Sequence, residues 1–76
     1  MFINITIKQN DDQCDIIIDS EQIINEGLAI LRKSGKLPKG TATNYYHSLL
    51  NQRLVSAHKT FNDEKIFDGD MLITVD

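Results

Sequence analysis

The chain has 76 residues, of which 41% are hydrophobic and 25% are charged. This balance is typical of a folded globular domain, because disordered segments combine low hydrophobicity with high charge. A chain of this length forms one core and hides only about 60% of its unfolded surface, which leaves no scaffold for a deep, water-excluding cleft. We therefore expect a single domain over residues 1–76 that is not an enzyme.

The charge is acidic overall and basic in one short segment. The net charge of −3 argues against nucleic-acid partners, because affinity for phosphate backbones comes largely from Lys and Arg. Half of the eight basic residues nevertheless lie close together, at Arg32, Lys33, Lys36 and Lys39. These cations suit the C-terminal end of a helix, whose dipole favours them. A site for an anion or a lipid headgroup is the alternative interpretation.

The compartment is indicated by what the sequence lacks. The single cysteine, Cys14, cannot form an internal disulfide, which fits a reducing cytosol. No apolar run approaches the roughly 18 residues of a membrane span, and the N-terminus has no basic segment followed by an apolar one. We expect a cytoplasmic protein that does not insert into a membrane and is recruited to its inner face by partners.

Two strands open the chain. In residues 2–8 the side chains alternate with the period of a β-strand, and the pattern returns in residues 14–19. The polar residues 9–13 between them are typical turn formers. The pattern predicts an antiparallel hairpin whose inward side chains are Ile3, Ile5, Ile7, Cys14, Ile16 and Ile18.

A helix is predicted next, because the apolar period lengthens to that of an α-helix. Asp19 or Ser20 is predicted to cap its first turn, and the helix is expected to stop near Ser34 and Gly35. Gly27 lowers helix propensity, so we expect it to mark a close approach of the helix to the sheet. The predicted apolar stripe consists of Ile23, Ile24, Leu28, Ile30 and Leu31.

The middle of the chain is predicted to form a second pair of strands. Residues 45–50 have strand composition, residues 51–52 can turn, and residues 53–56 form a short return strand. The register of 45–50 stays open, because its composition does not show which side chains face the core.

The last segment is predicted to end in a strand. Residues 60–66 are expected to form a short helical turn held by Phe61 and Ile66. A turn at 68–70 then leads into the final strand at 71–75, which is apolar on both alternating faces.

This order of elements predicts an α+β fold with a mixed sheet of four to five strands and one helix packed across one face. The arrangement resembles ubiquitin over essentially the whole chain, from the hairpin and helix through Leu37 and Pro38 to the ending at 60–72. The resemblance implies a β-grasp domain. Its expected core consists of Ile3, Ile5, Ile7, Ile16, Ile18, Ile24, Leu28, Leu31 and Leu72.

The two ends of the chain give a narrower resemblance. The opening 1–7, Met-Phe-Ile-Asn-Ile-Thr-Ile, and the closing 66–72, Ile-Phe-Asp-Gly-Asp-Met-Leu, are similar to the YukD/EsaB family, the small ubiquitin-like proteins of Gram-positive type VII secretion systems. This resemblance implies an accessory component on the cytosolic side that contacts membrane proteins or the motor ATPase of the machine. A stand-alone ubiquitin-like adaptor, a structural module of another assembly, or a separate copy of a domain carried by secretion membrane proteins remains open.

No motif for catalysis, metal binding or a cofactor accompanies this pattern. His47 and His58 are far apart in sequence from Cys14, without the clustered spacing that metal sites use. Cys14 is expected to pack as a small hydrophobe. The turn at 68–70 lacks the ligand series of a calcium-binding EF-hand.

Two other uses of the β-grasp scaffold are not expected. Conjugation and sulfur transfer need a flexible tail that ends in Gly-Gly, whereas this sequence ends in Val75 and Asp76. A plant-type ferredoxin needs four cysteines for its cluster. We therefore expect non-covalent complexes only.

The sheet face opposite the helix is the candidate partner-binding surface, because one helix covers only one face. The resemblance to ubiquitin implies that Leu72 and Thr74 point to the core. Exposed apolar patches of this kind usually mark interaction surfaces, and the alternative is a homodimer through the same face. The predicted surface consists of Leu49, Met71, Ile73 and Val75, with Tyr45 or His47 left open as neighbours and the basic cluster as a secondary candidate.

Overall fold

A computed structural model describes residues 1–38, 40 and 43–75. Its elements are β1 (Phe2–Gln9), β2 (Asp12–Asp19), α1 (Ile24–Lys33), β3 (Tyr45–Ser48), β4 (Arg53–Ser56) and β5 (Met71–Thr74). The strands form one sheet in the order β2, β1, β5, β3, β4. The central pair, β1 and β5, is parallel, and the other pairs are antiparallel. This mixed five-stranded sheet with one helix confirms the predicted β-grasp fold.

The β1–β2 hairpin confirms the alternation seen in the sequence. Its register runs from Phe2 opposite Asp19 to Gln9 opposite Asp12, with a two-residue turn between. The turn begins at Asn10, whose φ of 53° lies in the left-handed region that Asn adopts more readily than most residues. Every predicted inward isoleucine of the two strands is buried: Ile3, Ile5, Ile7, Ile16 and Ile18.

The prediction for the start of the helix is wrong. Helix α1 begins at Ile24, and neither Asp19 nor Ser20 caps it. The N–H of Ile24 instead donates to the carbonyl oxygen of Lys59 at 2.9 Å, and the next amide bonds to the same segment after β4. Main-chain carbonyls brought in by the tertiary fold therefore supply the acceptors that a capping side chain would provide.

The close approach predicted at Gly27 is confirmed. A Cβ atom at this position would lie 2.6 Å from Cδ1 of Ile18, a side chain of β2 that points to the core. The helix can pack this near to β2 only because residue 27 has no side chain.

The apolar stripe of α1 is narrower than predicted. Ile24 and Leu28 are fully buried, and Leu31 is half-buried rather than a full member of the core. Ile23 and Ile30 are 37% and 56% exposed, respectively. Ile30 lies beside β2, the outermost strand, so no further strand of the sheet lies beneath it.

The β3–β4 connection differs from the prediction. Strand β3 ends at Ser48, so Leu49 and Leu50 belong to the turn rather than to the strand. The carbonyl oxygen of Ser48 accepts the N–H of Gln52 at 2.8 Å, and Gln52 has a φ of 53°. The strand therefore ends two residues earlier than predicted, and the turn spans residues 49–52 instead of 51–52.

Residues 61–65 form the predicted turn, in which the N–H of Glu64 donates to the carbonyl oxygen of Thr60 at 3.2 Å, the bond of a single α-helical turn. Phe61 and Ile66 are fully buried, so the segment is anchored by the predicted side chains. Gly69, with a φ of 87°, lies in the turn before β5. Within the described parts of the chain, no helix has the length and apolar character required to cross a membrane.

Candidate protein-interaction surface

The open face of the sheet, opposite α1, carries a row of side chains paired across four strands. Ile73 of β5 lies between Lys8 of β1 and His47 of β3. His47 in turn pairs with Leu54 of the outer strand β4. Met71 lies two residues before Ile73 and therefore on the same face. The row brings together apolar side chains from segments that are distant in sequence.

The structure places the four predicted surface residues in one region, which we call the open-face patch: Leu49, Met71, Ile73 and Val75. Leu49 is 50% exposed, and its N–H donates to the carbonyl oxygen of Met71 at 3.0 Å. Met71, Ile73 and Val75 are half-buried. Val75 directly follows β5. The patch is thus partly accessible and continuous along β5.

Two exposed side chains lie beside the patch: Tyr45, which the sequence left open as a neighbour, and Leu54, which the sequence did not indicate. Tyr45 and Leu54 are each 53% exposed, more than Met71 or Ile73. Tyr45 lies on the same face of β3 as His47. The sequence did not determine this face, because the register of 45–50 was open. Leu54 precedes the buried Val55, and alternation in so short a strand does not show which of the two faces the core.

A buried carboxylate holds the backbone beneath the patch. Asp70 is 1% exposed and accepts the hydroxyl of Ser48 at 2.6 Å. It also accepts the N–H of Leu50 at 3.0 Å and the N–H of Met71 at 2.7 Å. These bonds satisfy a group that would otherwise be costly to bury. The sequence alone places Asp70 only in a turn, because Ser48 and Leu50 become its neighbours only through the fold.

The basic cluster is divided by the structure. Arg32 is half-buried, and its guanidinium donates to Oε1 of Gln9 at 2.9 Å. Arg32 and Lys33 occupy the last turn of α1, as the helix-dipole interpretation predicts, and Lys36 is exposed after it. Lys39 lies outside the described residues. Arg32 therefore joins the helix to β1, while Lys33 and Lys36 face solvent.

The titratable side chains considered for chemistry are spread over the domain. Cys14 is half-buried against the core, and its thiol donates to the carbonyl oxygen of Lys36 at 3.2 Å. His47 lies on the open face, whereas a ring nitrogen of His58 lies 3.0 Å from Oδ1 of Asn44. Over residues 1–38, 40 and 43–75, no three His, Cys, Asp or Glu side chains come together as metal ligands.

Known proteins provide a fold comparison. No protein-family model and no curated protein matches the chain. Among solved structures, the chain is similar to the EccD5 ubiquitin-like domain from Mycobacterium xenopi, with a TM-score of 0.59 and 17% sequence identity. The fold is ubiquitin-like. The match covers 96% of this chain and 91% of that one, so it includes the hairpin, α1 and the closing strands.

Proposed function

We propose that this chain is a non-catalytic protein-interaction module, an accessory or regulatory component of a type VII secretion system on its cytosolic side. The observation that carries the proposal is the open-face patch. Ile73 lies in register with His47 and the exposed Leu54, and Met71 lies beside the exposed Leu49, on the face that α1 does not cover. Contiguous apolar surface of this kind usually serves to bind another macromolecule.

The partner in this proposal is a membrane protein or the motor ATPase of the secretion machine. The two ends of the sequence resemble the YukD/EsaB family, and the fold resembles an EccD5 ubiquitin-like domain, which belongs to a mycobacterial type VII secretion component. A stand-alone adaptor of another assembly is the second candidate, because the fold and the patch would serve that role equally well.

The experiment compares two charged substitutions in the patch with a charged substitution on the helix. Ile73→Asp and Leu49→Asp are expected to abolish co-purification of secretion components with the tagged chain and to stop secretion in the native host. Ala29→Asp, at an exposed position of α1, is the matched control and is expected to change neither. Circular dichroism checks that each variant folds.

Three outcomes would overturn parts of the proposal. Normal secretion with folded Ile73→Asp and Leu49→Asp variants would place the binding site elsewhere, with the basic cluster as the next candidate. Capture of partners from an unrelated assembly would favour the adaptor. A concentration-dependent dimer in sedimentation, lost in Ile73→Asp, would show that the patch pairs two copies of the chain.

A further inference from the structure

Among the strands that the structure describes, β1 is the only neighbour of β2, so β2 forms a free edge of the sheet. The N–H of Ser20 donates to the carbonyl oxygen of Met1 at 2.8 Å. Hydrogen-bonded pairs alternate with non-bonded pairs along antiparallel strands. In the observed register, Ile16 and Ile18 therefore bond to β1, whereas the N–H and C=O of Asp15 and Ile17 point away from it.

These outward groups are left for another strand. Within the described residues, no intramolecular partner takes up the N–H of Asp15 or the N–H and C=O of Ile17. The carbonyl oxygen of Asp15 has only the thiol of Cys14, at 3.9 Å. An extended chain can bond to such an edge and continue the sheet.

The free edge lies along an apolar groove between β2 and α1. Two open depressions, of about 280 and 420 Å³, share Ile17 and Leu31 and so follow one another along the strand. The absent side chain of Gly27 keeps the first of them open. Ile17 and Ile30 are 67% and 56% exposed. We call this the β2 groove; its apolar lining is Phe2, Ile16, Ile17, Ile18, Gly27, Ile30 and Leu31. Asp15 and Lys36 line its second depression, so the groove has one acidic and one basic group there.

The charges of β2 select the occupant. The strand carries Asp12, Asp15 and Asp19 and no basic residue. A second copy paired edge to edge would bring these carboxylates together, and like charges on facing strands are destabilising. Asp15 and the exposed Ile17 lie on the open-face side of β2, whereas Ile16 and Ile18 face the helix side. An added strand would meet Asp15 beside Ile17 on one of its faces and the apolar lining contributed by α1 on the other.

We propose that the β2 groove binds an extended segment of a partner protein in which apolar and basic residues alternate. The segment pairs with the outward groups of Asp15 and Ile17 as a sixth strand. Its apolar side chains enter the groove beside Ile30 and Leu31, and its Lys or Arg side chains lie next to Asp15. This site is separate from the open-face patch and does not rest on the type VII secretion assignment.

The test uses the full chain and defined peptides. The probe is a capped peptide in which Val and Lys alternate. It has about eight residues, which matches the length of β2. An isomer with Glu in place of Lys tests the charge, and an isomer with a central Pro tests strand pairing, because Pro lacks the N–H. Amide chemical shifts of the labelled chain should move along β2 and α1 with the Lys peptide and not with the other two, at up to about 1 mM peptide.

Variants of the chain test the same contacts with matched controls. Ile17→Pro removes an outward N–H without removing a bond to β1, and Ile30→Lys places a charge in the groove. Each variant is expected to lower the affinity for the Lys peptide at least about tenfold. Leu54→Pro on the opposite edge and Ala29→Lys on the same helix are expected to bind as the unaltered chain does. Asp15→Lys should lower the affinity for the Lys peptide and raise the affinity for the Glu peptide. Asp63→Lys, at another exposed Asp, should change neither affinity.

Four results would overturn the proposal. These are no binding of the Lys peptide, equal binding of the Glu peptide, shifts centred on Met71 and Ile73, and unchanged affinity in folded Ile17→Pro and Ile30→Lys. A dimer in sedimentation that Ile17→Pro dissociates would assign the edge to a second copy instead. Loss of secretion without loss of peptide binding in Ile73→Asp would separate this site from the open-face patch.

Discussion

The two outer strands of the sheet treat their free edges in opposite ways. On β4, the N–H of Ser56 donates to Oε2 of Glu64 at 2.9 Å. The same carboxylate pairs with Arg53 at 3.3 Å, and Arg53 also donates to the carbonyl oxygen of Leu54 at 3.3 Å. Side chains of the domain itself therefore occupy two of the outward groups of β4, the N–H of Ser56 and the carbonyl oxygen of Leu54.

Strand β2 is twice as long, with eight residues against the four of β4, but no described side chain bonds to the outward groups of Asp15 and Ile17 in the way that Glu64 and Arg53 do on β4, the weak contact of the Cys14 thiol with Asp15 aside. Exposed strand edges promote aggregation, and proteins blunt them with charge, bulges or covering segments. In this domain β4 is blunted by a covering segment and β2 by negative charge. A cover excludes every partner, whereas charge excludes only partners of the same sign.

The largest effect is expected from loosening the segment that covers β4. Phe61→Ala should lower the free energy of unfolding by about 3–5 kcal/mol, because it empties a fully buried aromatic site. Phe67→Ala is the matched control, since Phe67 is 56% exposed and should cost less than about 0.5 kcal/mol. Urea denaturation of both variants measures the difference. Similar losses would show that residue 61 does not anchor the cover.

A smaller loss is expected at the buried carboxylate of the covered half. Asp70→Ala leaves the Ser48 hydroxyl and the amides of Leu50 and Met71 without their acceptor. Unfolding should become easier by roughly 3 kcal/mol, because buried donors without partners are costly. Amide exchange at Leu50 and Met71 should accelerate before that of the β1–β2 hairpin. Uniform acceleration over the whole sheet would mean that Asp70 does not act locally.

The cover itself can be removed at Glu64. Glu64→Ala should cost about 1–2 kcal/mol, since the N–H of Ser56 loses a charged acceptor, while the half-exposed Arg53 contributes little. Glu64→Gln retains an oxygen acceptor and should cost less. Sedimentation should show self-association in Glu64→Ala and not in Glu64→Gln. A monomeric Glu64→Ala variant would show that the carboxylate is not what blocks this edge.

The smallest effect concerns the charged end of β2. The N–H of Glu21 and the N-terminal amine, 3.3 Å away, hold the pKa of Asp19 below its usual value. A lowered pKa stabilises the fold above the unfolded-state pKa, and this contribution is lost as the pH falls through the folded-state pKa. Asp19→Asn should therefore have a slight cost at neutral pH and none in acid. Urea denaturation of Asp19→Asn and of the unaltered chain at neutral and at acid pH measures the difference.

The sequence predicted best where a local period decides the structure. In β1 and β2, inward and outward side chains alternate over whole strands. The inward face of each strand could therefore be predicted without knowledge of distant residues. The predicted start of α1 was wrong, because the first amide of the helix bonds to the carbonyl oxygen of Lys59, far along the chain. The same limit applies to Leu54, which joins the candidate surface only through its pairing with His47.

The candidate site was predictable in part for the same reason. Met71 and Ile73 were found because β5 is apolar on both faces and one helix covers one of them. The β2 groove was not found. It depends on which strand is outermost and on the depth that Gly27 leaves beside Ile18, and neither follows from the alternation of β2.

The two-residue turn at Asn10 sets a reading frame for the hairpin. Side chains of a strand alternate with period two, so a shift of β2 by one residue against β1 would exchange its faces. Asp15 would then point at the helix, and Ile16 would point to solvent. A shift by two residues would preserve the frame. The parity of the register that this turn closes thus decides which side chains of β2 reach the core.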